Sequence, residues 1–142
     1  MEISATNPLL EISLYIKGRD LDVDETSRTL GVAPSRVNRR GEPKLRGKEQ
    51  PVYSTTTWKF ARKAQSLDVS GVLVSLLRDI DPAARPMTIP GVEDAFIDVF
   101  LANTVETGNL GSAIEWEWSV DALRALNRMA LPVRISMCNV EP

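Results

Sequence analysis

Histidine is absent from this 142-residue chain, and cysteine occurs once, at Cys138. The first absence removes the commonest general base, the Ser-His and Cys-His dyads, and the commonest metal ligand together. The second leaves no internal disulfide and too few thiolates for a zinc site. No window approaches the run of about 18 apolar residues that a membrane span needs. The opening MEISATNP has neither the basic start nor the apolar middle of a signal peptide. A phosphate-cradling P-loop, a dinucleotide glycine fingerprint and a serine nucleophile elbow are all missing. Together these absences point to a reduced, cytoplasmic, non-catalytic protein with no cofactor and no metal.

What is present belongs to an ordinary globular domain. Hydrophobic residues make up 43% and charged residues 25%, enough for one sizeable core, and no interior linker divides the chain. Residues 1–142 are therefore read as a single domain. The net charge is −2 but unevenly spread. Between positions 36 and 49 lie Arg36, Arg39, Arg40, Lys44, Arg46 and Lys48 against only Glu42 and Glu49. That pattern sets one basic surface feature on an acidic body.

Periodicity supplies the elements. In LLEISLYIK, Leu10, Ile12, Leu14 and Ile16 alternate with Glu11, Ser13, Tyr15 and Lys17, a half-buried strand. Asp22 with Glu25 three residues on makes a capping box for a short helix that Gly31 stops. Residues 32–50 hold no period and read as a long loop. VYSTTTWKF, 52–60, is rich in β-formers and predicts a strand. Val69 to Ile80 keeps helical spacing from Asp68 to Asp81-Pro82. AFIDVFL is a strand, AIEWEW a further short one, and Ser119 caps a helix ending at Leu131-Pro132. VRISM closes the chain as a strand. The expected fold is α+β, a single mixed sheet of about five strands with three helices, in the order β-α-β-α-β-β-α-β.

Candidate sites are few. LGVAPSRVNRRGEP, 30–43, has the turn glycine and Val37 of a helix-turn-helix, yet Gly41 and Pro43 end any second helix after two turns, and nothing apolar follows Val37 to dock it. Glu115 and Glu117 would share a strand face about 7 Å apart, with Trp116 and Trp118 opposite. The plain reading is tryptophans inward and glutamates in water. Acid-base chemistry at Glu115, Glu117 or Asp98 would require a concave pocket and raised pKa values. Trp58, Trp116 and Trp118 sit beside apolar neighbours and are read as core.

The run LGVAPSRVNRRGEP, preceded by the alternating strand and capped helix and followed by a strand with Trp58, resembles the bacterial domain of unknown function family 4279. Leu30, Gly31, Pro34, Arg39, Gly41 and Trp58 carry the likeness, which extends from about Leu10 to Val140. That resemblance implies an architecture and no reaction. Some small proteins of this sort are suspected immunity proteins, which block a toxin by binding it.

The expectation is a protein-binding module, with toxin neutralisation as its most concrete form. The contact would be the basic segment, Arg36, Arg39, Arg40, Lys44, Arg46 and Tyr53. Arginine forks suit carboxylate or phosphate, and could instead pair with the protein's own acidic body. A nucleic-acid binder using 36–48, or a small carboxylate-dependent enzyme, is the alternative. Tyr53 is the one aromatic near the basic segment and the overall charge is negative, which disfavours nucleic acid. An uncovered edge strand would permit a homodimer.

Overall fold

The alternating stretch Leu10–Ile16 lies at the centre of the sheet. In the computed structural model, which describes residues 7–44, 51–104 and 115–140, it belongs to β1 (Asn7–Gly18). The elements that follow are α1 (Val23–Leu30), β2 (Arg36–Asn38), β3 (Thr56–Ala64), α2 (Val69–Arg78), a 3-10 turn at Pro86–Thr88, β4 (Asp94–Thr104), α3 (Val120–Met129) and β5 (Val133–Val140). The sheet order is β2-β3-β1-β4-β5. Three pairings are antiparallel, and β4 with β5 is parallel. A parallel neighbour needs a crossover, and α3 lies in it.

The α+β class, the mixed five-stranded sheet and the three helices are as the patterning predicts. Among the described residues one strand comes from elsewhere, and the elements run β-α-β-β-α-β-α-β. Residues 36–38, inside the expected long loop, pair with β3, placing Val37 opposite Trp58. Residues 115–118 join no strand, and 113–114 lie outside the described residues. The Ser70 hydroxyl donates to the Glu117 carbonyl at 2.7 Å and accepts from the Ser119 N–H at 2.9 Å. These bonds tie the segment to the start of α2 rather than to a sheet edge. Strand β3 also starts four residues later than expected.

Register sorts the side chains. Leu14 faces Ile97 and Phe60, and Ile16 faces Ala95 and Trp58. These residues join Leu30 of α1, Leu73, Leu76 and Leu77 of α2, and Met129 of α3 in one core. Asp22 and Ser119 cap as read, accepting from the Glu25 and Ala122 N–H groups, and Asp68 caps α2 by accepting from Gly71. The Glu25 carboxylate pairs with Arg28 and does not close the expected box. Gly31 ends α1 at φ 75°, the left-handed region in which glycine costs least.

Candidate functional site on the helix-free sheet face

Because the helices pack on the Leu10–Ile16 side, β1 turns Glu11, Ser13, Tyr15 and Lys17 to the other face. Register then assembles a surface across all five strands. Arg36 lies opposite Lys59, Lys59 opposite Tyr15, and Tyr15 opposite Phe96. Next to that row, Ser13 faces Asp98, which faces Arg134. Among the described residues no helix covers this face.

Two aromatic rings form its centre. Tyr15 and Phe96 stack at 5.0 Å with planes 22° apart. The Arg134 guanidinium sits 3.7 Å from the Phe96 centroid, and Phe96 is 4% exposed despite belonging to a face without helices. Lys17 stands 5.4 Å from the same centroid, and Lys59 the same distance from the Tyr15 ring. Such cation–aromatic contacts hold long side chains flat over the sheet. Tyr15, Lys17, Phe96, Asp98, Arg134 and Ser136 enclose a shallow depression of about 380 Å³.

The charges on this face are partly answered. Glu11 accepts from Lys59 at 2.7 Å and lies 3.5 Å from Lys63. Burial alone would raise the Glu11 pKa, but the hydrogen bond and charge of Lys59, with Lys63, hold it below the ordinary value. Burial likewise would lower Lys59, and its bonds to Glu11 and Tyr15 raise it instead. Glu11 and Lys59 are only 20% and 19% exposed, so each depends on the other. Replacing Glu11 by Gln should cost about 2 kcal/mol at neutral pH, as befits a hydrogen bond between charged, half-buried groups. The pair's contribution exists above the ordinary carboxylate range and is lost as pH falls through the depressed Glu11 value. At the alkaline end it is lost as pH rises through the raised Lys59 value. Urea melts of wild type and Glu11→Gln should therefore differ at pH 7 and converge in acid. An equal difference at both would assign the loss to packing.

Asp98 is different. Arg134 faces it in register but turns away, reaching Asp94 at 3.5 Å. Ser13 directs its hydroxyl to Glu11. No ion pair or hydrogen bond reaches the Asp98 carboxylate among the described residues. Burial pushes its pKa up, aided by Glu11 and opposed by Lys59 and Arg134. Of the three carboxylates singled out for acid-base work, Asp98 is the one that lines this depression. Glu115 and Glu117 are exposed, while Trp116 and Trp118 are half-buried and meet edge to face at 6.5 Å. No base, nucleophile or orienting group stands within hydrogen-bond distance of Asp98 among the described residues.

The basic segment is a β-arm, not an irregular loop. Backbone bonds join Gly41 to Tyr53, Tyr53 to Glu42 and Lys44 to Pro51, and Pro43 bridges Val52. The arm prolongs the β2–β3 ladder, and residues 34–40 form no second helix of a helix-turn-helix. Among the described contact residues that the sequence predicts, Arg36 lies on the helix-free face, opposite Lys59. Arg39 and Arg40 are exposed on the arm, Lys44 lies 5.7 Å from the Tyr53 ring, and Arg46 falls outside the described residues. Among the described residues of the arm the one ion pair, Arg40 to Asp20 at 3.7 Å, joins side chains 51% and 86% exposed, a contact worth little.

The residues that sequence reasoning passed over are Lys17, Phe96 and Arg134. Each reads alone as a strand residue. Their meeting depends on pairing positions some 40 and 80 residues apart.

Comparison with family models matches residues 7–139 to DUF4279, described as a domain of unknown function, and the chain belongs to that family. No curated protein and no solved structure matches it.

Proposed function

As a member of that family the chain inherits no assigned activity, and we propose that it is a non-catalytic protein-binding module. Its helix-free sheet face would dock an acidic protein surface. The observation that carries this reading is the composition of that face. Arg36, Lys17, Lys59, Lys63 and Arg134 stand against Glu11, Asp94 and Asp98, around a central Tyr15–Phe96–Arg134 stack. The chain as a whole is negative, whereas this face carries five of its cations against three carboxylates. Aromatic and arginine side chains are also the types enriched at the centres of protein interfaces. Lys17 and Arg36 have no carboxylate within ion-pair distance among the described residues, leaving charge for a partner to answer.

The interleaved carboxylates favour protein over nucleic acid. A protein surface can meet a mixed pattern charge by charge, whereas a run of phosphates cannot. Covering a toxin's active surface is one use for such a module, and it needs no catalytic group. A reducing cytoplasm suits the single exposed thiol of Cys138.

The test is capture from nuclease-treated lysate of cells that express the protein naturally. Three baits are compared: wild type, a face variant (Lys17→Glu with Arg134→Glu) and an arm variant (Arg39→Glu with Arg40→Glu). The expected result is a discrete acidic protein held by wild type and the arm variant, lost from the face variant, and released by salt. Equal capture by the face variant overturns the reading. So does loss from the arm variant alone, which would move the contact to the arm, and so does retention of no protein by wild type.

A further inference from the structure

On the opposite side of the molecule, α2 and α3 enclose a groove of about 320 Å³ lined by Val74, Leu77, Arg78, Arg124, Ala125 and Arg128. Helical spacing places them: Val74 and Arg78 are four residues apart on α2, as are Arg124 and Arg128 on α3. The floor is apolar, and three guanidinium groups border it.

Those arginines are almost unanswered. Among the described residues, Arg124 approaches only Asp121, at 4.0 Å with both side chains largely exposed. Arg78 and Arg128 meet no carboxylate among the described residues. Arg128 donates through Nη2 to the Leu77 carbonyl at 3.0 Å, which holds its fork at the rim with other N–H groups to spare. Ordinary helix chemistry accounts for part of this. Arg78 and Arg128 stand in the last turns of their helices, where cations complement the dipole. It does not account for Arg124 in mid-helix, one like charge four residues before another, an arrangement that costs stability in an isolated helix. Nor does it account for an apolar floor left open between them.

We propose that this groove binds a small soluble amphiphile, with a carboxylate or phosphate head held by Arg78, Arg124 and Arg128 and an apolar body lying on Val74, Leu77 and Ala125. Guanidinium forks match the oxygen geometry of either head. The apolar floor removes the attached chain from water. The volume lies at the small end of ligand pockets, which suits a chain of several carbons rather than a large metabolite. The sheet face has no part in this site, so the two proposals stand or fall separately.

Calorimetric titration of the full chain tests it, in a buffer free of phosphate and carboxylate. The probes are octyl phosphate, octanoate, inorganic phosphate and octanol. Octyl phosphate and octanoate should bind with dissociation constants on the order of 0.1–1 mM. Inorganic phosphate and octanol, each offering half the chemistry, should bind at least about tenfold more weakly. Arg78→Gln with Arg124→Gln keeps two of the three methylenes of each stem and the Arg128–Leu77 bond. The Arg124–Asp121 contact it removes is exposed and worth little, so thermal unfolding should stay nearly unchanged. Affinity for both anions should fall at least about tenfold in that variant. Octanol binding as tightly as the anions, affinity unchanged in the double variant, or no heat from either anion would each overturn the proposal.

Discussion

Trp58→Ala should lower unfolding free energy by about 3–5 kcal/mol, the range for emptying a buried aromatic site. Trp58 is 0% exposed and the largest of the fully buried side chains. It lies between Val37 of β2 and Ile16 of β1 in the ladder, and its indole N–H donates to the Ser27 hydroxyl of α1 at 3.0 Å. One side chain therefore joins the short edge strand, the central strand and a helix. Truncation leaves a void among all three and removes the acceptor role of Ser27. Guanidinium unfolding of the pure protein measures the loss, and Trp58→Phe separates its parts. Keeping a ring but no N–H, that variant should lose much less. A cost under about 1 kcal/mol for alanine would mean that Trp58 does not face the core.

Gly18→Ala should cost about 3 kcal/mol, through collision rather than cavity. A Cβ at Gly18 would stand 1.8 Å from the Gly91 carbonyl oxygen. That oxygen is backbone and cannot swing aside. Gly91 is itself held at φ +86°, and its own Cβ would lie 2.5 Å from the Asp20 carbonyl oxygen. Two turns thus lie backbone to backbone, fastened by the Glu93 N–H to the Lys17 carbonyl at 2.8 Å and the Arg19 N–H to the Glu93 carboxylate at 2.7 Å. Admitting a methyl group would part the turns and break both bonds. Gly71→Ala is the control. The atoms nearest its Cβ are the carboxylate carbon and oxygens of Asp68, a side chain that can rotate away, so the loss should not exceed that helix cap, about 1 kcal/mol. Equal losses at the two sites would show that the strand end yields more easily than the packing implies.

Elements with their own period were legible from the sequence. The alternation of β1, the Asp22–Glu25 cap, the Gly31 stop and the spacing along α2 each express local chemistry, and each appears where the pattern put it. Strand β2 could not be read that way. Arg-Val-Asn is too short to show alternation, and it is a strand because β3 offers it a ladder. The arm fails for the same reason: its Gly, Pro and charged residues suggest a loop, while backbone bonds between 41–44 and 51–53 make it a hairpin. Glu-Trp-Glu-Trp alternates like a strand, yet Ser70 captures its backbone. The candidate sites were least legible of all. In β4, Asp94 and Asp98 share a face with Phe96 and Phe100 opposite Ile97, Val99 and Leu101, so the aspartates mark the outer face, but nothing in the run says which side chains of other strands meet Phe96 there. Only the register against Tyr15 and Arg134 decides.

The sheet order also sets a timetable for synthesis. β1 emerges first but sits in the middle, and its partner across the ladder from Leu14 is Ile97, about 80 residues later. At a translation rate of about 5–20 residues per second, Leu10, Ile12, Leu14 and Ile16 wait several seconds before β4 exists to cover that edge. Contacts so distant in the chain also slow folding once synthesis is complete. During that interval an exposed, strongly β-forming apolar strand is what chaperones bind and what aggregates when they are scarce. Glu11 and Lys17, alternating on its second face, leave one side of that strand polar for as long as the other waits to be covered.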